Sequence, residues 1–439
     1  MIGTAPQNEN EWKWYEKIAF RFIFILFLIH IAPWTWPAQI PFLDSLLGFT
    51  VEGYYNLTDW LIQLVKTHIL HIETKVVPNG SGDTIDDWTW NGIAIFIAVS
   101  GSIIWTFADF QRRQYDTLYT WLQVLVRYHL ALFMFVYGFI KIFPMQMPPP
   151  SLSQMVTPIG EFTSMRLAWL FIGSSTFYQI FSGLCEAIGG ALLLSRRTSS
   201  LGALILVGVL GNVVALNLFY DVQVKLFSTM LLFMAVFLLI PNIRQFWSFF
   251  ILHNFVRLSF PDLNLKRRWQ ETTRVVLKVT FIAAFVVGPF YQNMTNYSKS
   301  LSGRNTEHSI AQGFFDVEEF KLNHNEITQN VADTIRWENV VFEKWNEGSI
   351  KSGSESSTLL RYGRDYFAYD ADIDKEIIRI KFRKDSTRNY VFHYAKPDSV
   401  RILLFGKKGN DSLHILLRQR STEHFLLSNP LHWVQNSVK

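Results

Sequence analysis

The sequence predicts a polytopic α-helical membrane bundle followed by an all-β domain. Of the 439 residues, 49% are hydrophobic and 16% are aromatic, which is typical of a membrane protein with a water-soluble part. Seven apolar stretches approach the roughly 20 residues that a helix needs to cross a bilayer. After about residue 298 these runs give way to short alternating segments that indicate strands.

The predicted spans all precede residue 298. Their limits are 17–36, 89–109, 118–143, 168–195, 199–219, 224–241 and 274–294. Two further stretches, beginning at Gly53 and Ile243, mix apolar and polar residues at helical spacing. We expect them to form helices that lie in the membrane interface.

The basic residues of the short loops predict the direction of insertion. They fall on one side of the predicted spans, at Arg112, Arg113, Arg196, Arg197, Arg244, Arg257, Lys266, Arg267, Arg268 and Arg274. The loop 144–165 on the other side has no lysine or arginine. The positive-inside rule then predicts a cytoplasmic N-terminus and, after seven crossings, an extracytoplasmic C-terminal domain. We expect a bacterial inner-membrane protein whose C-terminal domain is periplasmic.

Five regions follow from this pattern. They are N-terminal spans with a periplasmic loop (1–117), a four-helix membrane core (118–241), an interfacial helix with the last span (242–297), a linker (298–309) and a periplasmic all-β domain (310–439). Alternating strands separated by turn residues fit an antiparallel barrel or a sandwich. Aromatic residues of this domain, such as Phe367 and Phe392, are expected to be mainly core.

Composition excludes several function classes. A net charge of only +5, with basic residues spread over short loops, makes nucleic acid an unlikely partner. Cys185 is the only cysteine, so a disulfide framework or a paired-cysteine redox motif within one chain is excluded. The histidines have no recognisable ligand spacing, and no metal is predicted. The lipid bilayer and other envelope proteins are the expected partners.

Two neighbouring spans carry charges where water is absent. Arg127 and Lys141 share one face of the third span, and Glu186 lies within the fourth. An unpaired charge at this depth costs at least about 2.5–3.5 kcal/mol. Counted from the cytoplasmic ends, Arg127 and Glu186 lie about equally deep, so we expect them to pair. The pair would be either a structural ion pair or part of a polar pocket.

A second polar cluster is expected at the outer face. Lys141 should lie near the headgroups there, where a lysine side chain reaches water at little cost. The turn between the fifth and sixth spans brings further polar residues to this level, namely Asn212, Asn217, Asp221 and Lys225. The last two form an i, i+4 pair. Interfacial anchoring alone also explains this cluster.

The same residues resemble the DoxX family of membrane proteins. The family pattern is an early arginine, a Gly-x-x-Lys motif, and a glutamate before paired glycines and a basic turn. Here it is met by Arg127, Gly138, Lys141, Glu186, Gly189, Gly190 and the "RRTSS" turn. The resemblance covers about residues 118–241. It implies a four-helix membrane scaffold of a kind often linked to quinone or sulfur redox chemistry.

Two functions therefore stay open. The first is a DoxX-like subunit that binds a quinone or another isoprenoid lipid through Arg127, Glu186 and Lys141, with no other cofactor expected. The second is a non-catalytic scaffold that docks a partner through its β domain, which resembles lipocalin-like domains around "GFFDVEEFKLN". A third hypothesis is a carboxylase-like enzyme that uses Lys141 as its base. The sequence therefore leaves open whether the chain is an enzyme.

Overall fold

The protein divides into two compact units. The computed structural model describes residues 11–40, 43–73, 81–257, 267–303, 312–328, 335–353, 362–383, 389–408, 411–425 and 427. The first unit joins Met1–Phe143 to Ile180–Asn293, and the second joins Pro144–Gln179 to Met294–Lys439. The predicted four-helix core 118–241 is thus interrupted, because its loop and the start of its fourth span belong with the C-terminal domain.

Helices make up the first unit and parts of the second. They are α1 Trp14–Ile31, α2 Asp44–Val65, α3 Ile85–Ala108, α4 Asp116–Ile142, α5 Leu152–Met155, α6 Ser164–Gly173, α7 Thr176–Leu193, α8 Ser199–Phe219, α9 Lys225–Leu239, α10 Ile243–Phe250, α11 Arg268–Ile282 and α12 Gly288–Gly303. A π-helical turn at Ala283–Val287 joins α11 to α12. Because α12 runs to Gly303, the first half of the predicted linker is helical; residues 304–309 lie outside the described part of the chain.

The chain is a multi-pass membrane protein. Six helices in the described residues are long and apolar enough to cross a bilayer, namely Trp14–Thr35, Ile85–Ala108, Asp116–Ile142, Ser199–Phe219, Lys225–Phe250 and Arg268–Leu301. The predicted span 168–195 was wrong in its first part, because the helix breaks at Ser174 and Ser175 between α6 and α7. The 18-residue α7 is not among the six, but it packs lengthwise against α4.

The core of the bundle lies on one face of α4. Leu122, Val126 and Leu130 of this helix are fully buried and pack with Leu206 of α8 and Met234 of α9. Their spacing of four residues puts the α4 side chains in one row. The outer faces of the spanning helices carry large exposed apolar side chains, as expected for surfaces that contact acyl chains.

The C-terminal domain is a closed, eight-stranded antiparallel β-barrel. Its strands are β1 Gly313–Leu322, β2 Asn325–Glu326, β3 Trp337–Phe342, β4 Glu347–Ser352, β5 Asp365–Asp372, β6 Ile377–Phe382, β7 Asn389–Ala395, β8 Arg401–Lys408 and β9 Asp411–Arg420. Each strand from β3 onward pairs with the next, β1 pairs with β3, and β9 returns to β1. The two-residue β2 pairs only with the end of β1, antiparallel to Lys321 and Leu322. This closure satisfies the strand edges and confirms the barrel over the sandwich.

Large aromatic side chains fill the barrel. Phe342 contacts Phe367 edge to face, Phe367 contacts Phe382, and Tyr390 stacks on Phe392. All five point inward and are at most 8% exposed. An eight-stranded barrel is just wide enough for such side chains to occupy its interior. The interior is therefore a packed core, and function on this domain falls to its outer surface and rims.

Candidate functional site

A buried ion pair joins α4 to α7. Lys141 Nζ lies 2.5 Å from Glu186 Oε1, and the two residues are only 7% and 2% exposed. Side chains on a helix lean toward its N-terminus. Because α4 and α7 run antiparallel, Lys141 in the last turn of α4 and Glu186 in the middle of α7 lean toward each other. The predicted snorkelling of Lys141 to the headgroups was wrong.

Arg127 has a different partner from the one predicted. Its Nε and Nη2 donate to the Leu193 carbonyl oxygen at 3.0 and 2.8 Å. Leu193 is the last residue of α7, where carbonyl groups lack partners within the helix and carry partial negative charge. Arg127 and Glu186 lean in opposite directions along the two helices, so the predicted pair between them was wrong. The arginine instead caps the C-terminus of α7.

Glycines let α4 and α7 touch backbone to backbone beside the pair. A Cβ atom added at Gly138 would lie 2.9 Å from the Gly183 carbonyl oxygen, and one added at Gly183 would lie 2.6 Å from the Gly138 carbonyl oxygen. At Gly190 an added Cβ would lie 2.9 Å from Met134 Cβ. Small residues at a helix interface permit this approach in membranes. The approach brings Lys141 and Glu186 within hydrogen-bonding distance.

Gly183→Ala should lower the free energy of unfolding by about 1–3 kcal/mol, because the new methyl group overlaps the α4 backbone. Unfolding with a denaturing detergent in mixed micelles measures this loss. Gly92→Ala on α3 is the matched control, since an added Cβ there meets no atom within 4 Å. Equal effects from the two substitutions would contradict the tight α4–α7 contact.

The pair leaves hydrogen-bonding capacity unused. Glu186 Oε2 is buried and has no partner among the described residues. Lys141 Nζ also lies 5.8 Å from the ring centroid of Tyr137, which is half-buried on the same helix. A carboxylate oxygen in this position accepts a hydrogen bond from a hydroxyl or amide group. Chemically, the site offers one free acceptor beside an ammonium group inside an apolar bundle.

The predicted outer cluster comes together only in part. Asn217 is buried and donates to Ser228 Oγ at 2.9 Å. Asp221 and Lys225 form the expected ion pair at 2.6 Å, and the Asp221 side chain is 83% exposed. Asn212 lies on the exposed outer face of α8, away from the other three. None of these four residues contributes to the Lys141–Glu186 pair.

Asp83 anchors the start of α9 by capping its first backbone N–H groups, a role that the sequence did not predict. Its carboxylate accepts from the backbone N–H groups of Lys225 at 2.6 Å and Leu226 at 3.0 Å. These are first-turn donors of α9 that lack partners within the helix. The loop before α3 thereby fixes the start of α9. The two parts of the chain are more than 140 residues apart, so no local signal announces the contact.

Asp83→Asn should lower the free energy of unfolding by about 1 kcal/mol, because the two N–H donors bind different carboxylate oxygens and an amide group has only one oxygen. Asp221→Asn is a matched control, since both aspartates have a left-handed backbone, with φ of 55° and 53°. The exposed Asp221 should tolerate the change within about 0.5 kcal/mol. Thermal unfolding in detergent would compare them, and a larger effect at Asp221 would contradict the anchor.

The second unit has a buried polar network between Pro144–Gln179 and the barrel. Glu343 Oε1 accepts from the Ser153 backbone N–H at 2.8 Å. Ser349 Oγ donates to Ser153 Oγ at 2.8 Å and accepts from Arg364 Nε at 2.7 Å. Burial lowers the pKa of the Arg364 guanidinium to about 10. These bonds fix the predicted periplasmic loop to one end of the barrel.

Charged and aromatic contacts extend this attachment. Arg166 donates to the Tyr362 carbonyl oxygen and, at 2.6 Å, to the Tyr366 hydroxyl. Lys351 pairs with Glu161. Sequence reasoning missed all of these residues. The local signals were Glu161 within the loop 144–165, which has no lysine or arginine, and Arg166 directly after that loop. These signals did not identify the partners of the two residues.

The described residues contain no group of three or more His, Cys, Asp or Glu side chains that could hold a metal ion. His129 is buried and stacks on Trp36, with ring centroids 6.1 Å apart. His30 contacts the Leu26 carbonyl and the Asn91 amide oxygen. Both histidines are thus part of helix packing.

Comparison with known proteins identifies a family. The chain is 35% identical over 127 residues to the uncharacterized protein YwoB of Bacillus subtilis (strain 168), and the alignment covers 28% of this chain and 79% of YwoB. The chain belongs to the YwoB family. No family model matches it, and no solved structure matches it. The YwoB-like part accounts for little more than a quarter of the chain.

Proposed function

We propose that the chain is a DoxX-like integral membrane subunit that binds a quinone or another isoprenoid lipid at the Lys141–Glu186 pair and is linked to envelope redox chemistry. The observation that carries this proposal is the Glu186 Oε2 atom, which is buried beside an ammonium group and has no hydrogen-bond partner in the described part of the chain. Polar groups at membrane depth that exceed the needs of helix packing are characteristic of functional sites. Arg127, bound to a carbonyl oxygen, acts in this proposal only as a helix cap.

Two features support an inner-membrane location with the barrel in the periplasm. Basic loop residues such as Arg112 and Arg196 lie at helix ends opposite to the loop that follows α4. That loop and the barrel belong to one unit, so they face the same compartment. This arrangement fits a cytoplasmic N-terminus and a periplasmic C-terminal domain.

Mass spectrometry of lipids retained by the full chain in a mild detergent tests the proposal. We expect a quinone or an isoprenoid lipid with the natural chain, and its loss from Glu186→Gln and Lys141→Met. Asp221→Asn is the control, because it removes a charge from an exposed pair and should leave retention unchanged. Equal lipid content in all four preparations would overturn the assignment of the site.

A second candidate function is a non-catalytic scaffold in an envelope complex. The observation that favours it is the barrel itself, whose interior is filled by side chains such as Phe367 and Phe392. The domain therefore acts through its surface, and its polar network holds Pro144–Gln179, the segment that follows α4, against the barrel. A filled barrel of this kind is suited to docking a partner protein.

Replacing Lys141 and Glu186 together with methionine and leucine separates the two functions. If the chain is a scaffold, co-purification with its partners and cellular function both survive this double substitution. If it binds a lipid through the pair, function is lost while the complex stays intact. Loss of the complex together with a folded barrel would contradict both proposals, because neither assigns partner contacts to the pair.

A further inference from the structure

Helix α8 carries two asparagines in its second half, and they face in different directions. Asn217 is 4% exposed and donates to Ser228 inside the bundle. Asn212 is five residues earlier, so it lies about 140° around the helix. It is exposed on the outer face of the helix. Within the described part of the chain its amide has no hydrogen-bond partner.

The depth of Asn212 makes this exposure costly. It precedes Phe219, the last residue of α8, by seven residues, which is about 10 Å along the axis. A carboxamide at that depth faces acyl chains, which offer neither a donor nor an acceptor. Polar side chains in spanning helices normally face the bundle interior, as Asn217 does. The amide of Asn212 therefore requires a partner from outside this chain's own bundle.

The surface around Asn212 is shaped for close approach. Gly208 and Ala215 lie on the same face, within about 60° of Asn212, and Gly211 lies about 100° from it. A Cβ atom added at Gly208 or Gly211 meets no atom within 4 Å. By contrast, a Cβ atom added at Gly202, on the inner face of the same helix, would lie 2.9 Å from the Gly189 carbonyl oxygen. The inner face at Gly202 is thus covered by a neighbouring helix, whereas the surface at Gly208 and Gly211 is open.

We propose that this outer face of α8 is the contact between two copies of the chain, with Asn212 hydrogen-bonded to the partner subunit's Asn212. A carboxamide carries both a donor and an acceptor, so two of them related by a two-fold axis satisfy each other. Both copies insert in the same orientation, which places equal residues at equal depth. Any other occupant would have to supply its own polar group at this level.

Two of the described polar groups inside the bundle are already engaged within the chain. The Lys141–Glu186 pair is buried between α4 and α7, and Ser228 already binds Asn217. These groups face the interior and cannot reach the outer face of a second copy. Asn212 itself is a polar group that a second copy presents on its surface at the same depth.

Cysteine cross-linking of the full chain in native membranes tests the contact. In a Cys185→Ala background, Ala215→Cys should form a disulfide-linked dimer under mild oxidation. Phe233→Cys is the matched control, because Phe233 is 58% exposed on the outer face of α9 and should stay monomeric. Cross-linking of Ala215→Cys to a different protein, or equal dimer yield at both positions, would overturn the proposal.

A second measurement uses the side chain itself. The side chain at position 212 faces outward, so Asn212→Leu leaves the bundle core unchanged. The variant should therefore fold and keep its helical circular dichroism. The dissociation constant of the dimer, measured by light scattering over a concentration series in mild detergent, should rise about tenfold or more. An unchanged dissociation constant, or a natural chain that is monomeric throughout the series, would contradict the assigned contact.

Discussion

Lys141→Met is expected to lower the free energy of unfolding by about 3–5 kcal/mol, because it leaves the Glu186 carboxylate buried without a counter-charge. Methionine keeps most of the packing of the aliphatic part of the lysine side chain. The loss of stability therefore measures the effect of removing the ammonium charge. Unfolding in mixed micelles measures it. The large effect arises because Glu186 is 2% exposed and water cannot replace the missing ammonium group.

The double substitution Lys141→Met with Glu186→Leu should recover most of this stability, since a buried ion pair is often no more stabilising than apolar side chains of similar volume. Lys225→Met is the control for lysine removal as such, because its partner Asp221 is 83% exposed. It should change stability by less than about 1 kcal/mol. If Lys141→Met costs as little as Lys225→Met, the pair is not charged in the folded protein.

Phe367→Ala is expected to destabilise the barrel by about 3–5 kcal/mol, because it removes a fully buried ring from a packed interior. Phe405→Ala makes the same chemical change on the outer surface, where the ring is 41% exposed. It should cost about 1 kcal/mol or less. Hydrogen exchange of the barrel strands in the full chain measures both losses region by region.

This comparison also tests whether the barrel has a ligand cavity. Phe367 contacts Phe342, Tyr369 and Phe382, and removing it opens a cavity among these rings. In a barrel that already held an open pocket, Phe367 would have few neighbours to lose. A cost at Phe367 no greater than at Phe405 would therefore contradict the filled interior.

The spans were predictable because crossing a bilayer depends on the summed hydrophobicity of about 20 residues. The break between α6 and α7 was not, since Ser174 and Ser175 barely change the average of an apolar run. The all-β domain followed from alternation in strands such as Ile377–Phe382 and Asn389–Ala395, but alternation alone fitted a barrel and a sandwich. Strands β4 and β5 have a weaker sequence signal, because glycine, serine and aspartate dilute their apolar residues.

Lys141 and Glu186 were both singled out from the sequence, but their pairing with each other was not predicted. Depth counted along each span placed Arg127 opposite Glu186, because it assumed that the two helices end at the same level, whereas α7 ends at Leu193, beside Arg127. The lean of helical side chains toward the N-terminus would have favoured Lys141 instead. The contacts of Asp83 and Ser153 lie beyond any such rule, since they join residues 142 and 190 positions apart.

The attachment of Ser153 to Glu343 has a consequence for biosynthesis. The two residues are 190 positions apart, and at about 5–20 residues per second the ribosome needs roughly 10–40 s to make the intervening chain. Throughout that interval the segment between α4 and α7 is already made while the strands that will receive it do not yet exist. Chaperones that shield this segment, or mutations that slow translation before β3, should accordingly change how much folded protein accumulates.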